Sequence, residues 1–105
     1  MRTKLQNRRG GYHFEVGEGS QAISIQTGEY PDGTIGEVWI SQQKEGSFCK
    51  AVYESLAMVV SLALQSGVPL ESIGHSLRYS SKEVCEIFDE LQRVYCRCSH
   101  LTRIN

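Results

Sequence analysis

The longest apolar stretch of the chain covers residues 56–64, LAMVVSLAL, in which only Ser61 is polar. Strong helix formers lead into it from Ser47 onward, and Gly67 and Pro69 follow it, two residues that favour the end of a helix. We predict one long helix with apolar residues on nearly all its faces, and such a helix must be covered on most sides. Because a chain of 105 residues offers only one sheet and one or two further helices as cover, we expect a second copy to cover part of it.

Three segments before this helix alternate apolar and polar residues, as strands with one buried face do. They cover residues 12–17, 21–27 and 35–42, with turn residues between them. The segments predict a three-stranded antiparallel meander. Trp39, in the third strand, is either a core residue or an exposed aromatic at an interface, and its large apolar area favours the core or a subunit interface.

Two further helices are predicted after the long one. A short helix begins near Pro69, which suits a first helical turn. Ser80 and Glu83 have the spacing of a capping box and predict a third helix from about Ser81 to Cys98. Its apolar residues recur every three or four positions, so this helix can pack on the domain or against its own copy. They are Val84, Ile87, Phe88, Leu91, Val94, Tyr95 and Cys98.

The predicted fold class is α+β: a three-stranded antiparallel β-meander packed on a long central helix, followed by a short helix and a C-terminal amphipathic helix. No repeat, low-complexity tract or linker divides the chain, so we interpret residues 1–105 as one domain. Residues 1–11 form a basic arm, residues 12–79 the core, and residues 80–105 the C-terminal helix and tail. The arm, which includes Arg8 and Arg9, is either solvated or contacts phosphate.

Overall charge and hydropathy limit the partners. The net charge of −1 gives no reason for strong nonspecific attraction to nucleic acid or to an anionic membrane. No run approaches the roughly 18 apolar residues of a membrane span, and a secretory signal is not recognisable. Cys49 and Cys85 lie in helical patterns, where free cysteine behaves as a small hydrophobe. We therefore predict a soluble, cytoplasmic protein with no membrane partner.

The entry to the long helix is a candidate anion site. Lys44, Gly46 and Ser47 precede the free amides of the first turn, where the helix dipole favours negative charge and glycine admits a phosphate. Ser47 as a plain N-cap explains the same residues. The spacing of a Walker loop is absent.

A second candidate is the turn at Arg78 and Tyr79, with His75 about one helical turn earlier. Arginine can bind a phosphate bidentately and tyrosine can stack on a base, which together suit a nucleotide. An ordinary surface loop is the alternative.

The segment Cys96-Arg97-Cys98-Ser99-His100 contains zinc-ligand types, but one C-x-C and one histidine fall short of four ligands at zinc-site spacing. A metal site shared by two chains, a redox pair and incidental cysteines all remain open. We predict no metal and no cofactor. A nucleophile with a recognisable base partner is also missing, so we predict that the chain is not an enzyme.

The run KEGSFCKAVYESLAMVVSLALQSGVPLESI, preceded by RTKLQNRR, YHFEVG and YPDGTIGEVWIS, resembles the TSCPD domain. This small domain occurs near the C-terminal end of adenosylcobalamin-dependent ribonucleotide reductases and also as free-standing proteins. The resemblance covers roughly residues 2–77, and the following helix departs from it. It implies an accessory role. The reductase's catalytic barrel, radical cysteine and cobalamin site have no counterpart here, so it implies no reductase activity.

From these features we expect a non-catalytic, homo-oligomeric protein that binds a phosphorylated, nucleotide-type small molecule near its subunit boundaries. The expected ligand-binding residues are Arg8, Arg9, Lys44, Gly46, Ser47, Arg78 and Tyr79. Such a protein could sequester a signalling nucleotide, by analogy with some phage counter-defence proteins. The alternative is an accessory or regulatory subunit that docks on a ribonucleotide reductase chain. Nucleic-acid binding through the basic arm is a third hypothesis, and it requires a steep loss of affinity with salt.

Overall fold

A computed structural model of the chain describes Leu5 and residues 10–19, 22–42 and 47–104, with helical side chains described for residues 49–95. The predicted α+β fold is confirmed: three antiparallel strands precede three helices. The elements are β1 (His13–Val16), β2 (Ile23–Glu29), β3 (Ile35–Gln42), α1 (Ser47–Gln65), α2 (Leu70–Ser76) and α3 (Lys82–Ile104). The chain forms two compact units, Met1–Gly67 and Val68–Asn105.

The sheet of the first unit is the predicted meander, in the order β1-β2-β3 with antiparallel pairs. Because alternate residues of a strand point to opposite faces, the register places one set of side chains together and buries it. This set contains Val16, Ile23, Ile25, Val38 and Ile40. The opposite face is polar, with Trp39 opposite Gln26 in the register. Trp39 is 45% exposed, so it is not a core residue.

Helix α1 packs on β3 with one face and exposes the other. Ala57, Val60 and Leu64 are buried, whereas the opposite face exposes Val52, Met58, Val59 and Leu62. The helix ends where the sequence predicts. Gly67 has a φ of 94°, a conformation that glycine adopts without steric cost, and its amide donates to the carbonyl of Leu64 at 3.1 Å. In one chain, therefore, part of the apolar surface of α1 stays exposed.

The second unit is a pair of helices. Pro69 precedes α2, and α3 continues to Ile104, beyond the predicted end at Cys98. The hydroxyl of Ser81 accepts from the amide of Val84 at 3.2 Å, so the N-cap is Ser81 and not Ser80 as predicted. Ser80 instead donates to the carbonyl of Leu77.

Close packing holds α2 against α3. A Cβ added to Gly74 would lie 2.1 Å from the Nε2 atom of Gln92, so only glycine permits this approach without a shift of the glutamine. Ile87, Phe88 and Leu91, three members of the predicted apolar stripe of α3, are almost completely buried. The stripe therefore contributes to the core, as its spacing indicates.

Candidate functional site

The candidate site depends on the position of α1, which lies along the outer edge of the sheet. β3 is an outer strand, and β2 pairs with only one of its edges. On the other edge, the amide of Val38 donates to the hydroxyl of Ser61 at 2.9 Å, and that hydroxyl donates to the carbonyl of Val38 at 3.1 Å. One turn later, the side-chain amide of Gln65 donates to the carbonyl of Gly36 at 3.1 Å. Helix and strand are thus fixed side by side.

A groove of about 600 Å³ lies between this strand and this helix. We call it the β3–α1 groove and define it by Glu37, Trp39 and Ser41 on the strand and Glu54, Met58 and Leu62 on the helix. Its volume is in the range of small-molecule and peptide-side-chain sites. Trp39, Met58 and Leu62 give it an apolar surface that water reaches, since each of these side chains is at least 45% exposed.

The charged side chains among the described lining residues of the groove have one sign. Glu37 and Glu54 are the charged residues that line it in the described part of the chain, and no lysine, arginine or histidine is among the residues that do. Two carboxylates beside an indole ring favour a cationic group, because the ring face and the carboxylates both attract positive charge. The described lining residues of the groove suit the binding of such a cationic group. They include no nucleophile paired with a base.

A second hollow, of about 530 Å³, lies where the β2–β3 turn meets the end of α1. It is lined by Tyr30, Pro31, Asp32 and Thr34 and by residues 64–67. The carboxylate that lines this hollow, that of Asp32, is hydrogen-bonded within the turn. The Oδ1 atom of Asp32 accepts from the Thr34 hydroxyl at 2.6 Å and from the Thr34 amide at 3.0 Å, and these bonds lower the pKa of Asp32. We interpret the residues of this hollow as stabilising the β2–β3 turn and not as a binding site.

The predicted pair Arg78 and Tyr79 is held within its own turn. The guanidinium carbon of Arg78 lies 4.7 Å from the centre of the Tyr79 ring, and Nη1 donates to the carbonyl of His75 at 2.6 Å. Tyr79 itself is 88% exposed. The thiol of Cys85 approaches the carbonyls of Leu77 and Arg78 at 3.7 and 3.5 Å and so helps to hold the same turn.

The other predicted binding residues are not brought into a site by the described structure. Arg8, Arg9, Lys44 and Gly46 lie outside the described residues, and Ser47 begins α1 with a side chain that is not described. The side chains of Cys96, Cys98 and His100 are also outside the described part. Where side chains are described, no group of three or more histidine, cysteine, aspartate or glutamate residues could hold a metal ion. The ligand-binding roles of Arg8, Arg9, Lys44, Gly46 and Ser47 stay predictions.

The sequence interpretation missed the groove, although one signal pointed to it. The alternation of β3 places Trp39 in phase with Glu37 and Ser41, on the polar face of the strand. A tryptophan on a polar face beside an apolar helix is typical of a contact surface.

These elements define a small α+β domain, with a helix hydrogen-bonded along a sheet edge and an acidic, apolar groove beside it. The chain belongs to the TSCPD domain family, whose model matches residues 1–97. This confirms the resemblance inferred from the sequence. No helix in the described residues is both long enough and apolar enough to cross a bilayer.

Several relatives of the chain are vitamin B12-dependent ribonucleotide reductases. The chain is 40% identical over 82 residues to that of Agrobacterium fabrum and 41% identical over 70 residues to that of Bradyrhizobium diazoefficiens. It is 32% identical over 72 residues to that of Streptantibioticus cattleyicolor. These alignments cover 78%, 67% and 69% of the chain but only 6%, 6% and 12% of the reductases. No solved structure matches the chain significantly.

The prediction of a nucleotide-sequestering protein is wrong. Its proposed relatives were small free-standing binders, whereas the family and the matching proteins lead to ribonucleotide reductases. The alternative prediction, a module related to these reductases, is better supported. The geometry of Arg78 agrees with this correction, because its guanidinium already bonds a carbonyl of its own turn and stacks on Tyr79.

Proposed function

We propose that the chain is a non-catalytic accessory or regulatory module that acts by binding a ribonucleotide reductase chain. The observation that carries this proposal is the match to the Agrobacterium fabrum reductase, which is 40% identical yet covers only 6% of that protein. A region this small, shared with a much larger enzyme, suits a binding or positioning role better than the reaction itself.

The described chemistry supports a binding role. The β3–α1 groove exposes Trp39, Met58 and Leu62 beside two carboxylates, and such exposed apolar surface marks contact sites. Vitamin B12, which the names of the relatives include, does not fit the described hollows, because the groove and the turn hollow have the volume of drug-sized ligand sites and the corrin is larger. We assign no cobalamin chemistry to this chain.

Self-association is compatible with the same module and is a separate proposal. Val52 and Val59 lie on the outer face of α1 and are 49% and 65% exposed. A second copy that covers this face would remove apolar surface from water.

The proposal is tested with the Agrobacterium fabrum reductase in two forms, full length and lacking the segment that matches this chain. Each form is mixed with the chain and analysed by size-exclusion chromatography with light scattering and by a ribonucleotide reduction assay. We expect the chain to bind the shortened form, to change its activity, and to bind the full-length form less, because the enzyme's own segment fills the same site.

Circular dichroism establishes that the shortened reductase is folded, so that a missing complex can be interpreted. Absence of any complex with either folded form at about 0.1 mM, a concentration that detects even weak association, would contradict the proposed function. Equal binding to both forms would show that the chain does not replace the enzyme's own segment.

A further inference from the structure

We propose that the β3–α1 groove binds a short, extended peptide segment with an apolar residue flanked by arginine or lysine, and that this segment belongs to the reductase chain. The partner assignment rests on the proposed function. The chemistry of the segment follows from the groove alone.

The groove has the length of a short peptide. The strand residues from 37 to 41 extend for about 13 Å at roughly 3.3 Å per residue. On the facing helix, residues 54 to 62 rise about 12 Å. An extended chain of four or five residues covers this distance. The volume of about 600 Å³ leaves room for one large side chain and for parts of its neighbours.

The apolar contacts lie in the middle of the groove. Trp39, Met58 and Leu62 are 45%, 68% and 47% exposed, so each has apolar surface to lose on binding. Tryptophan is the residue type most often found as a binding anchor, and methionine adapts its shape to different partners. An aliphatic or aromatic side chain of the segment would fill this part.

Charge selects the flanking residues. Glu37 lines the groove from the strand and Glu54 lines it from the helix, and the described lining residues include no base. A segment with arginine or lysine on both sides of its apolar residue would face these carboxylates. The indole of Trp39 adds attraction for the same cations.

The carboxylates also argue against the same groove of a second copy as the occupant. A two-fold contact that placed this groove against itself would bring the Glu37 and Glu54 side chains of the two copies toward each other. Juxtaposed like charges oppose such a contact. A basic segment on a different chain meets no such repulsion.

Trp39 is the only tryptophan of the chain, so its fluorescence reports on the groove directly. The probe is a synthetic peptide with a central leucine between two arginines on each side, and the control peptide has glutamates instead of the arginines. We expect the arginine peptide to shift the Trp39 emission to shorter wavelength in a saturable way, with a Kd that rises with salt. The glutamate peptide should have no effect. Equal effects of both peptides, or none, would overturn the proposal.

Glu54→Lys tests the acidic rim. We expect about a tenfold weaker affinity for the arginine peptide, because the substitution replaces an attraction by a repulsion. The matched control is Glu18→Lys, the same charge change at an exposed position in the β1–β2 turn, which should leave the affinity unchanged. Met58→Lys is a second groove variant at a highly exposed position, so its fold should be retained. Unchanged affinity in both groove variants would contradict the site.

The same variants separate this inference from the proposed function. If the shortened reductase binds wild type but binds Glu54→Lys about tenfold less, the groove is the docking site. If it binds both equally, the proposed function stands and the groove assignment falls. Binding of the peptide without any reductase complex would overturn the partner assignment. An emission shift that depends only on protein concentration, together with a dimer mass, would make a second copy the occupant and overturn the proposal.

Discussion

The hydroxyl of Ser61 bonds both backbone groups of Val38, accepting from its amide at 2.9 Å and donating to its carbonyl at 3.1 Å. Ser61, the only polar residue of the apolar stretch 56–64, therefore provides hydrogen-bond partners for the backbone of Val38 on the outer edge of β3. An exposed strand edge invites pairing with other chains, and covering it with a helix is one way to prevent this. The contact also fixes the distance between strand and helix that forms the groove.

Ser61→Ala tests this contact. The variant leaves the amide and the carbonyl of Val38 without the serine hydroxyl, and we expect a loss of about 1–3 kcal/mol in the free energy of unfolding. Urea unfolding followed by Trp39 fluorescence measures it. The control is Ser55→Ala, at an exposed position of the same helix, which carries the same gain in helix propensity of a few tenths of a kcal/mol. Equal stabilities of the two variants would contradict the role of Ser61.

Gly11 is expected to be irreplaceable, although it lies before the first strand. A Cβ at this position would be 1.9 Å from the carbonyl oxygen of Thr27, a backbone atom that cannot move alone. Gly11→Ala should therefore lower the free energy of unfolding by about 2 kcal/mol or more. At Gly10 the nearest atom is the Oε1 of Glu29 at 3.4 Å, an ordinary contact with a flexible side chain. Gly10→Ala should change stability by less than about 1 kcal/mol. A similar loss in both variants, measured by urea unfolding, would contradict this account.

The sequence predicted the elements of the fold because local patterns determine them. Alternation gave the three strands, and Gly67 and Pro69 gave the end of α1. The N-cap of α3 was placed one residue early, because Ser80 and Ser81 are adjacent and either can cap a helix.

The groove could not be predicted in the same way, because it depends on which elements lie side by side. Trp39 illustrates the conflict: its large apolar area favoured burial, whereas the strand phase placed it with Glu37 and Ser41. The phase was correct. The pairing of Ser61 with Val38 is likewise a tertiary contact between residues 23 positions apart. The residues around Ser61 do not indicate that it will bond Val38, and those around Val38 do not indicate Ser61.

Asp32 gives a prediction for pH. The Thr34 hydroxyl, and after it the Thr34 amide, hold the pKa of Asp32 below its ordinary value of 3.8. Because the folded pKa is lower than the unfolded one, the ionised carboxylate stabilises the fold above the unfolded pKa. This contribution disappears as the pH falls through the folded pKa. An NMR titration of the Asp32 carboxyl should give a midpoint below 3.8.

Thr34→Val removes the hydroxyl and keeps the shape of the side chain, so the midpoint of Asp32 should move up toward its ordinary value. The amide bond remains, and we therefore expect a partial return. Glu90 is a useful second signal in the same spectra. Its pKa is lowered by a hydrogen bond from Arg93 and should not respond to Thr34→Val. An unchanged Asp32 midpoint in the variant would show that the hydroxyl does not stabilise the carboxylate.

Val59 and Val60 are neighbours on α1 with opposite surroundings, 65% and 3% exposed. Val60→Ala should cost about 1–3 kcal/mol of unfolding free energy, because it leaves a cavity against the sheet, whereas Val59→Ala should change it by less than about 0.5 kcal/mol. Urea unfolding at several protein concentrations measures both. If a second copy covers the outer face of α1, Val59→Ala becomes costly and wild-type stability rises with concentration, since association stabilises only the folded chain. A small, concentration-independent effect would instead show that no second copy covers this face.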